Sequence, residues 1–212
     1  MLHLDSTTLG PAAGILQTWV LPVLLGLGLA SATGLRTFLP LLMLALAARF
    51  GLFGITLNEH LAWIGSVPAI AALAIAAVAE FAGDKIPVVD HALTVMGAFV
   101  RPVAGAIAAA SVFAGLDPTT AAVAGIIVGA PTAFAFNAVQ GGTRLTSTAT
   151  TGGLGNPVLS FIEDVLSFGM VLVAFLAPIV VPIVLIVFAV LLFRLANRLR
   201  ERPARDRAAG AG

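Results

Sequence analysis

Glu80, Asp84, Glu163 and Asp164 lie in or beside long apolar runs of a chain that is 59% hydrophobic and only 10% charged. A charge at the centre of a membrane helix costs roughly 2.5–3.5 kcal/mol on insertion scales, so ionisable groups there usually face a bundle interior or a water-filled path and mark ion or proton routes. Glu80 and Asp84 are four apart, on one helical face and one turn from each other. Carboxylates held that close do not readily ionise together, which suits a cation or proton site. Lys85 follows at once, and Pro87 interrupts helical hydrogen bonding. The alternative for this cluster is an interfacial cap with Asp84 and Lys85 solvated among headgroups. Asp90 and His91 join the cluster only if the chain folds back on it.

The second pair is set deeper. Asn156-Pro157 reads as an N-cap followed by proline at the first helical position. Ser160 is three residues before Glu163 and four before Asp164, and Ser167 is four after Glu163. Such a hydroxyl–carboxylate ladder could hydrate an ion or pass a proton. The alternative is a helix emerging from water with its acids near a positive terminus. Arg36, inside an uncharged run, and Arg144 are candidate ion-pair partners of the acids, with headgroup binding or snorkelling as their other uses. Arg101-Pro102 reads as an interface marker.

The elements that must position these residues are membrane helices. The 212-residue chain has a mean hydropathy of +1.08, with 22 Gly, 12 Pro and no Cys, which excludes an ordinary soluble domain, disulfides and thiolate chemistry. The expected fold is all-α, a polytopic transmembrane bundle. Seven apolar segments are expected: Ile15–Thr33, Leu35–Phe50, Leu61–Phe81, Pro102–Leu116, Thr119–Val139, Pro157–Ala177 and Ile179–Ala196. A full span takes about 20 apolar residues, so Leu35–Phe50 and Pro102–Leu116 are short, as re-entrant or broken helices are. The stretch from Pro87 to Val100 reads as a separate interfacial helix. Pro178 and Pro182 bracket either a kink in one long helix or a turn between two. Gly141–Asn156, rich in Gly and Thr, reads as a non-helical segment, either a solvent loop or unwound backbone inside the bundle. Gly125 and Gly129 allow close helix approach, within one subunit or at a homodimer seam.

The expected organisation is a short N-terminal segment (1–14), one transmembrane domain (15–200) and a basic tail (201–212). The domain divides into halves, 15–116 and 119–200, that repeat the order of arginine then acids. Six of the eleven basic residues lie from Arg194 to Arg207, which puts the C-terminus in the cytoplasm of a multi-pass inner (plasma) membrane protein. This cluster abuts an apolar helix without interleaved aromatics, unlike a nucleic-acid surface. No metalloprotease spacing, nucleophile elbow or phosphate loop occurs, so neither an enzyme nor a cofactor is expected, with an intramembrane enzyme the lesser alternative.

The segments GLRTFLPLL, AEFAGDKIPVVD with the downstream RPVAG, and GNPVLSFIEDVLSFG together resemble domain-of-unknown-function family 4126, small bacterial integral membrane proteins. The resemblance runs from about Leu21 to Arg200. It implies a polytopic helical protein and no particular activity. EFAGDK, Glu80 to Lys85, is also similar to the Glu-x-Gly-Asp-Lys motif of manganese/calcium–proton exchangers, with one extra residue between the acids and no counterpart in the second half. The functional expectation is a small secondary transporter or channel-like protein. Glu80 and Glu163 would bind a cation or proton, with Asp84 and Asp164 tuning them, and Lys85, Asn156, Ser160 and Ser167 as supporting polar groups. The cargo would be an ion, or an anionic lipid or metabolite. A non-transporting scaffold that packs against lipids or partners is the alternative.

Overall fold

The computed structural model describes residues 11–191 together with 193, 194 and 197. The expected basic tail and most of the N-terminal segment lie outside the described residues. Among these, every regular element is helical. The chain enters through α1 (Pro11–Ile15), which passes through a π-helical turn (Leu16–Val20) into α2 (Leu21–Leu35). Then come α3 (Phe38–Phe50), α4 (Val67–Gly83), α5 (Pro87–Ser111), α6 (Pro118–Thr151), α7 (Asn156–Leu176) and α8 (Pro178–Leu191), the last opened by a 3-10 turn. Four helices, Ala13–Leu35, Ala92–Ser111, Pro118–Thr151 and Asn156–Leu176, are long and apolar enough to cross a membrane. A fifth crossing is available if α4 and the 3-10 helix Glu59–Gly65 before it, bent by 62°, form one broken span.

The helices alternate in direction. At one level of the bundle Gly28 of α2 meets Ala174 of α7 and Val181 of α8. Gly34 meets Ala133 and Phe136 of α6, and the Phe136 ring stacks on Phe188 of α8 at 4.8 Å. Consequently α8 runs back alongside α2, and the Pro178–Pro182 stretch is a turn between two helices. The chain also doubles back after α2, since Phe53, beyond α3, lies 5.6 Å from Phe175 near the far end of α7. The beginning of α1 and the end of α8 therefore sit at opposite ends of the bundle.

Its centre is α2, α5, α6 and α7, joined by small residues. Gly125 and Gly129 of α6 lie directly against Ala106, Ala110 and Gly105 of α5, so this glycine spacing serves packing within the chain. The apolar core joins Leu29, Leu44, Ala108, Val112, Val171 and Phe175. The α3–α4 hairpin lies outside this centre. Its far end is tied down by buried Asn58, which donates to Phe113 O at 3.1 Å and Leu116 O at 2.9 Å while its own N–H donates to Ser111 O. Nearby, Asp117 caps α6 by accepting from Thr120 N–H; the Thr120 side chain first, and then that N–H, hold its carboxyl below the ordinary value of 3.8.

Three sequence expectations are corrected. Pro87–Val100 is not a separate helix: α5 is continuous through Pro102. Gly141–Asn156 is not a non-helical segment either, because α6 runs on to Thr151 and stops at Gly152 and Gly153, both at positive φ. Asn156 is not the cap of α7, a position held by Gly155; its side chain donates to Thr148 Oγ1 instead. For Pro102 the cause is its surroundings: in lipid an unpaired backbone group costs several kcal/mol, so a helix persists through a residue that would end it in water. Thr146, Thr150 and Thr151 donate their hydroxyls to carbonyls four residues earlier, hiding polar groups within the helix.

Glycines that are contacts and glycines that are not should respond oppositely. A Cβ on Gly125 would fall 2.6 Å from Ala106 O, whereas one on Gly142 meets nothing within 4 Å. Gly125→Ala is expected to cost about 1–3 kcal/mol through overpacking. Gly142→Ala should gain about 0.5–1 kcal/mol through helix propensity. Thermal unfolding of the two variants in detergent checks both signs.

Candidate functional site

The site is built on a break. Arg36 leaves the helical region, at φ −135° and ψ 123°, and α3 starts two residues later. A break leaves carbonyls at the end of one helix and N–H groups at the start of the next without intrahelical partners. Here side chains from three other helices, α4, α5 and α6, supply them. Arg101 Nη1 of α5 donates to Gly34 O at 3.2 Å, and Gln140 Nε2 of α6 donates to Leu35 O at 3.3 Å. Ser167 Oγ of α7 adds a second donor, at 3.1 Å, to Ala32 O, which already accepts the helical bond from Arg36 N–H. At the other lip, Glu80 of α4 accepts from Thr37 N–H at 3.0 Å and Phe38 N–H at 3.2 Å, one with each carboxylate oxygen. Glu80 is thus an N-terminal cap for α3, delivered from a different helix.

Around the break lies a buried charge network. Arg36, 2% exposed, donates from Nη1 to Asp84 Oδ2 and from Nη2 to Ser160, at 2.9 Å to the carbonyl and 2.6 Å to Oγ. Its Nη2 is also 3.9 Å from Glu163. Arg144 grips Glu163 side-on, Nε to Oε1 at 3.1 Å and Nη2 to Oε2 at 2.5 Å, a two-point fork of the strong kind. Arg144 Nη2 reaches Asp84 Oδ2 at 3.3 Å, and Ser160 Oγ donates to the same oxygen at 3.2 Å. Gln140 Nε2 donates to Glu163 Oε2 at 2.7 Å. Arg101 bridges Asn137 Oδ1 at 3.0 Å and, at 3.7 Å, Glu80.

Among the described residues, three arginines face four carboxylates here, a formal balance of minus one. Asp164 is the carboxylate held least. Its Oδ1 is 2.6 Å from Arg36 Nε, close enough for an ion pair but outside hydrogen-bond alignment. Arg36 Nε and Asp164 Oδ2 are both buried without a hydrogen-bond partner in the protein.

Two cavities reach the network. One, of about 320 Å³, is a polar vestibule below the break. Asp84 and Arg144 line it with Lys85, Thr94, Thr148 and Asn156, between α5, the extended end of α6 and the start of α7. The other, of about 570 Å³, is an apolar groove on the side of the bundle between α3, α4 and α7, bordered by Arg36, Glu80 and Asp164. Among the described residues, no three His, Asp or Glu converge as a metal-holding group. The arginines stand between the acids.

The sequence-derived residues divide accordingly. Glu80, Asp84, Glu163, Asp164, Arg36, Arg144 and Ser160 meet in one network. Ser167 is adjacent but serves the α2 carbonyl. Lys85 is exposed in the vestibule wall, over the Phe81 ring at 3.2 Å and donating to Phe81 O. Asn156 lines the vestibule, and Asp90 and His91 fall in the first turns of α5. Arg101 is corrected from an interface marker to a buried member of the network, 3% exposed. The signal that singled out Arg36, one cation in a long uncharged apolar stretch, applies equally to Arg101. Gln140 and Asn137 had no such signal.

An all-helical bundle with several spanning-length apolar helices and a charged interior is a multi-pass membrane protein. Within that class the chain belongs to the family described as Domain of unknown function (DUF4126), which it matches over residues 23–198. Neither a curated protein nor a solved structure matches it.

A buried pair broken on one side leaves an uncompensated charge and costs about 3–5 kcal/mol, whereas apolar replacement of both partners is often near neutral. Arg144→Met and Glu163→Met alone should each lower the thermal midpoint sharply. The double variant should recover most of the loss, as unfolding in detergent will report.

Proposed function

We propose that this protein is a proton-coupled secondary transporter whose coupling group is the Asp164–Arg36–Asp84–Glu163 network. One observation carries the reading: a buried network with, among the described residues, one more carboxylate than arginine, whose least-held member is Asp164. A single proton neutralises that excess. Protonation of Asp164 weakens its hold on Arg36, and Arg36 is the side chain that joins the turn between α2 and α3 to both α4 and α7. A change of charge there acts on how the α3–α4 hairpin is held against the centre of the bundle. Proton coupling suits the network better than a metal cation, because the arginines keep the carboxylates from sharing one coordination sphere.

The sequence assigned ion binding first to Glu80 and Glu163. The geometry favours a different division of labour. Glu80 is committed to two backbone N–H groups, and Glu163 to Arg144 and Gln140. Asp164 is the member with bonding capacity to spare. Both halves of the chain contribute, residues 15–116 through Arg36, Glu80, Asp84 and Arg101, and residues 119–200 through Arg144, Glu163 and Asp164.

Orientation follows from charge. The vestibule and the end of α8 lie at the same end of the bundle, and α8 leads into the arginine-rich tail. By the positive-inside tendency the vestibule opens to the cytoplasm of the inner membrane and the start of α1 lies toward the outside. From the level of Trp19 to Arg36 is about 26 Å at 1.5 Å per residue, so the network lies well toward the cytoplasmic side of a core about 30 Å thick.

Proteoliposomes with an internal pH dye test the proposal. An imposed proton gradient should decay at least tenfold more slowly with Asp164→Asn than with the unaltered protein, and Glu163→Gln should also slow it. Liposomes that hold the gradient with the unaltered, correctly inserted protein, across a panel of candidate anions and cations, would favour the scaffold reading, in which the charges serve only to close the helix break.

A further inference from the structure

The lateral groove has features that a lipid-facing crevice between helices does not need. Its walls are apolar, among them Leu39 and Leu42 of α3, Ala77 of α4, and Phe161 and Phe168 of α7. Its inner end is not: Arg36 and Asp164 border it there, each with one buried polar atom lacking a hydrogen-bond partner in the protein. One of these is a donor, Arg36 Nε–H, and the other an acceptor, Asp164 Oδ2. The donor's charge is met by Asp164 Oδ1 at 2.6 Å, but the acceptor has no partner, and an unpartnered buried acceptor in a native structure calls for an explanation.

We infer that the groove binds a single-chain carboxylic acid taken from the bilayer, with the carboxyl group at Arg36 and Asp164 and the hydrocarbon chain lying along α3, α4 and α7. This deepens the transport reading by naming the class of cargo, and it rests on that reading only for the movement of the ligand, not for its binding.

Three features select this occupant. A protonated carboxyl carries one donor and one acceptor on adjacent atoms: its O–H suits Asp164 Oδ2 and its carbonyl oxygen suits the Arg36 guanidinium, both atoms being closed to solvent until the Asp164 side chain turns toward the groove. If its proton passes to Asp164, the ligand is left as a carboxylate against the arginine, and the total charge of the site is unchanged. The second feature is orientation. The charged end of the groove lies toward the vestibule end of the bundle, and the walls rise about two turns, roughly 11 Å, toward the interior. A lipid acid in that leaflet has the same arrangement, polar end near the surface and chain toward the bilayer middle. The third is size, because about 570 Å³ falls in the range of pockets for one small ligand, roughly 300–1,000 Å³, and does not call for two chains and a phosphate headgroup. The arginine-rich C-terminal sequence is too polar to fill such a groove.

Photo-crosslinking with a diazirine-bearing palmitic acid tests this, using the full-length protein in lipid nanodiscs and mass spectrometric mapping of the labelled peptides. Labelling is expected to concentrate on residues 39–42, 74–81 and 161–168. Unlabelled palmitate should reduce it at least fivefold, and hexadecane or palmitoyl methyl ester should not. Ala77→Trp, which fills the groove from its lipid-facing wall, should reduce labelling by a similar factor, as should Asp164→Asn, with folding of both verified by monodispersity and thermal midpoint. Labelling spread over all lipid-facing helices, or competed equally by the ester, overturns the inference. Labelling of a folded Ala77→Trp variant at the level of the unaltered protein does so too. Because crosslinking reads occupancy and the pH dye reads flux, the two proposals fail separately. Specific labelling with silent liposomes leaves a lipid-acid binder that does not transport, and proton flux without labelling leaves a carrier of some other cargo.

Discussion

The structure turns on the interruption of one helix inside a membrane protein. Between Leu35 and Phe38 the chain reverses, and the reversal strands backbone carbonyls and N–H groups where water is scarce. Leaving them unmet would cost several kcal/mol each. The groups that meet them come from α4, α5 and α6: Glu80, Arg101 and Gln140. The break therefore dictates which polar side chains the surrounding helices must carry, and at which level. It also draws the bundle together, because no one helix can satisfy both lips.

Charges recruited to close a break need counter-charges of their own. Arg101 and Glu80 stand near each other across it, and Arg36, at the apex of the turn, finds Asp84, Ser160 and Asp164. Arg144 then completes the set by holding Glu163 in a side-on fork and touching Asp84. Each buried ion carries a desolvation penalty of several kcal/mol that only close pairing offsets. Such a network is tolerant of nothing except a balanced change, and a proton is the smallest balanced change available to a group with one carboxylate in excess. This gives the proposed coupling its physical basis. A network that holds the fold together and changes charge by one unit also changes how firmly the α3–α4 hairpin is held.

The two cavities give the same network two environments. The vestibule brings polar surface to Asp84 and Arg144, and the groove brings hydrocarbon to Arg36 and Asp164. Opposite faces of one ion cluster thus meet different solvents within a few ångströms.

Much of this protein was legible without coordinates. A mean hydropathy of +1.08 and apolar runs of spanning length determined an all-helical membrane bundle, because lipid admits few other ways to satisfy a backbone. The cost of charge in such runs picked out Arg36, Glu80, Asp84, Glu163 and Asp164, Arg144 was read as a partner for the acids from within the Gly/Thr stretch, and the serine spacing on α7 found Ser160. Local sequence misled in two places: lipid overrides propensity at Pro102, which did not divide α5, and the Gly/Thr stretch after Gln140 stayed helical with its threonine hydroxyls donating to carbonyls four residues back. Tertiary structure alone decided that the two acid clusters form one network, since Asp84 and Glu163 are 79 residues apart and nothing in either segment refers to the other. It alone assigned Glu80 to capping, found Arg101, Asn137 and Gln140, and left Asp164 as the carboxylate with bonding capacity to spare. Which charges exist is written in composition, but which of them is satisfied depends on distances between helices.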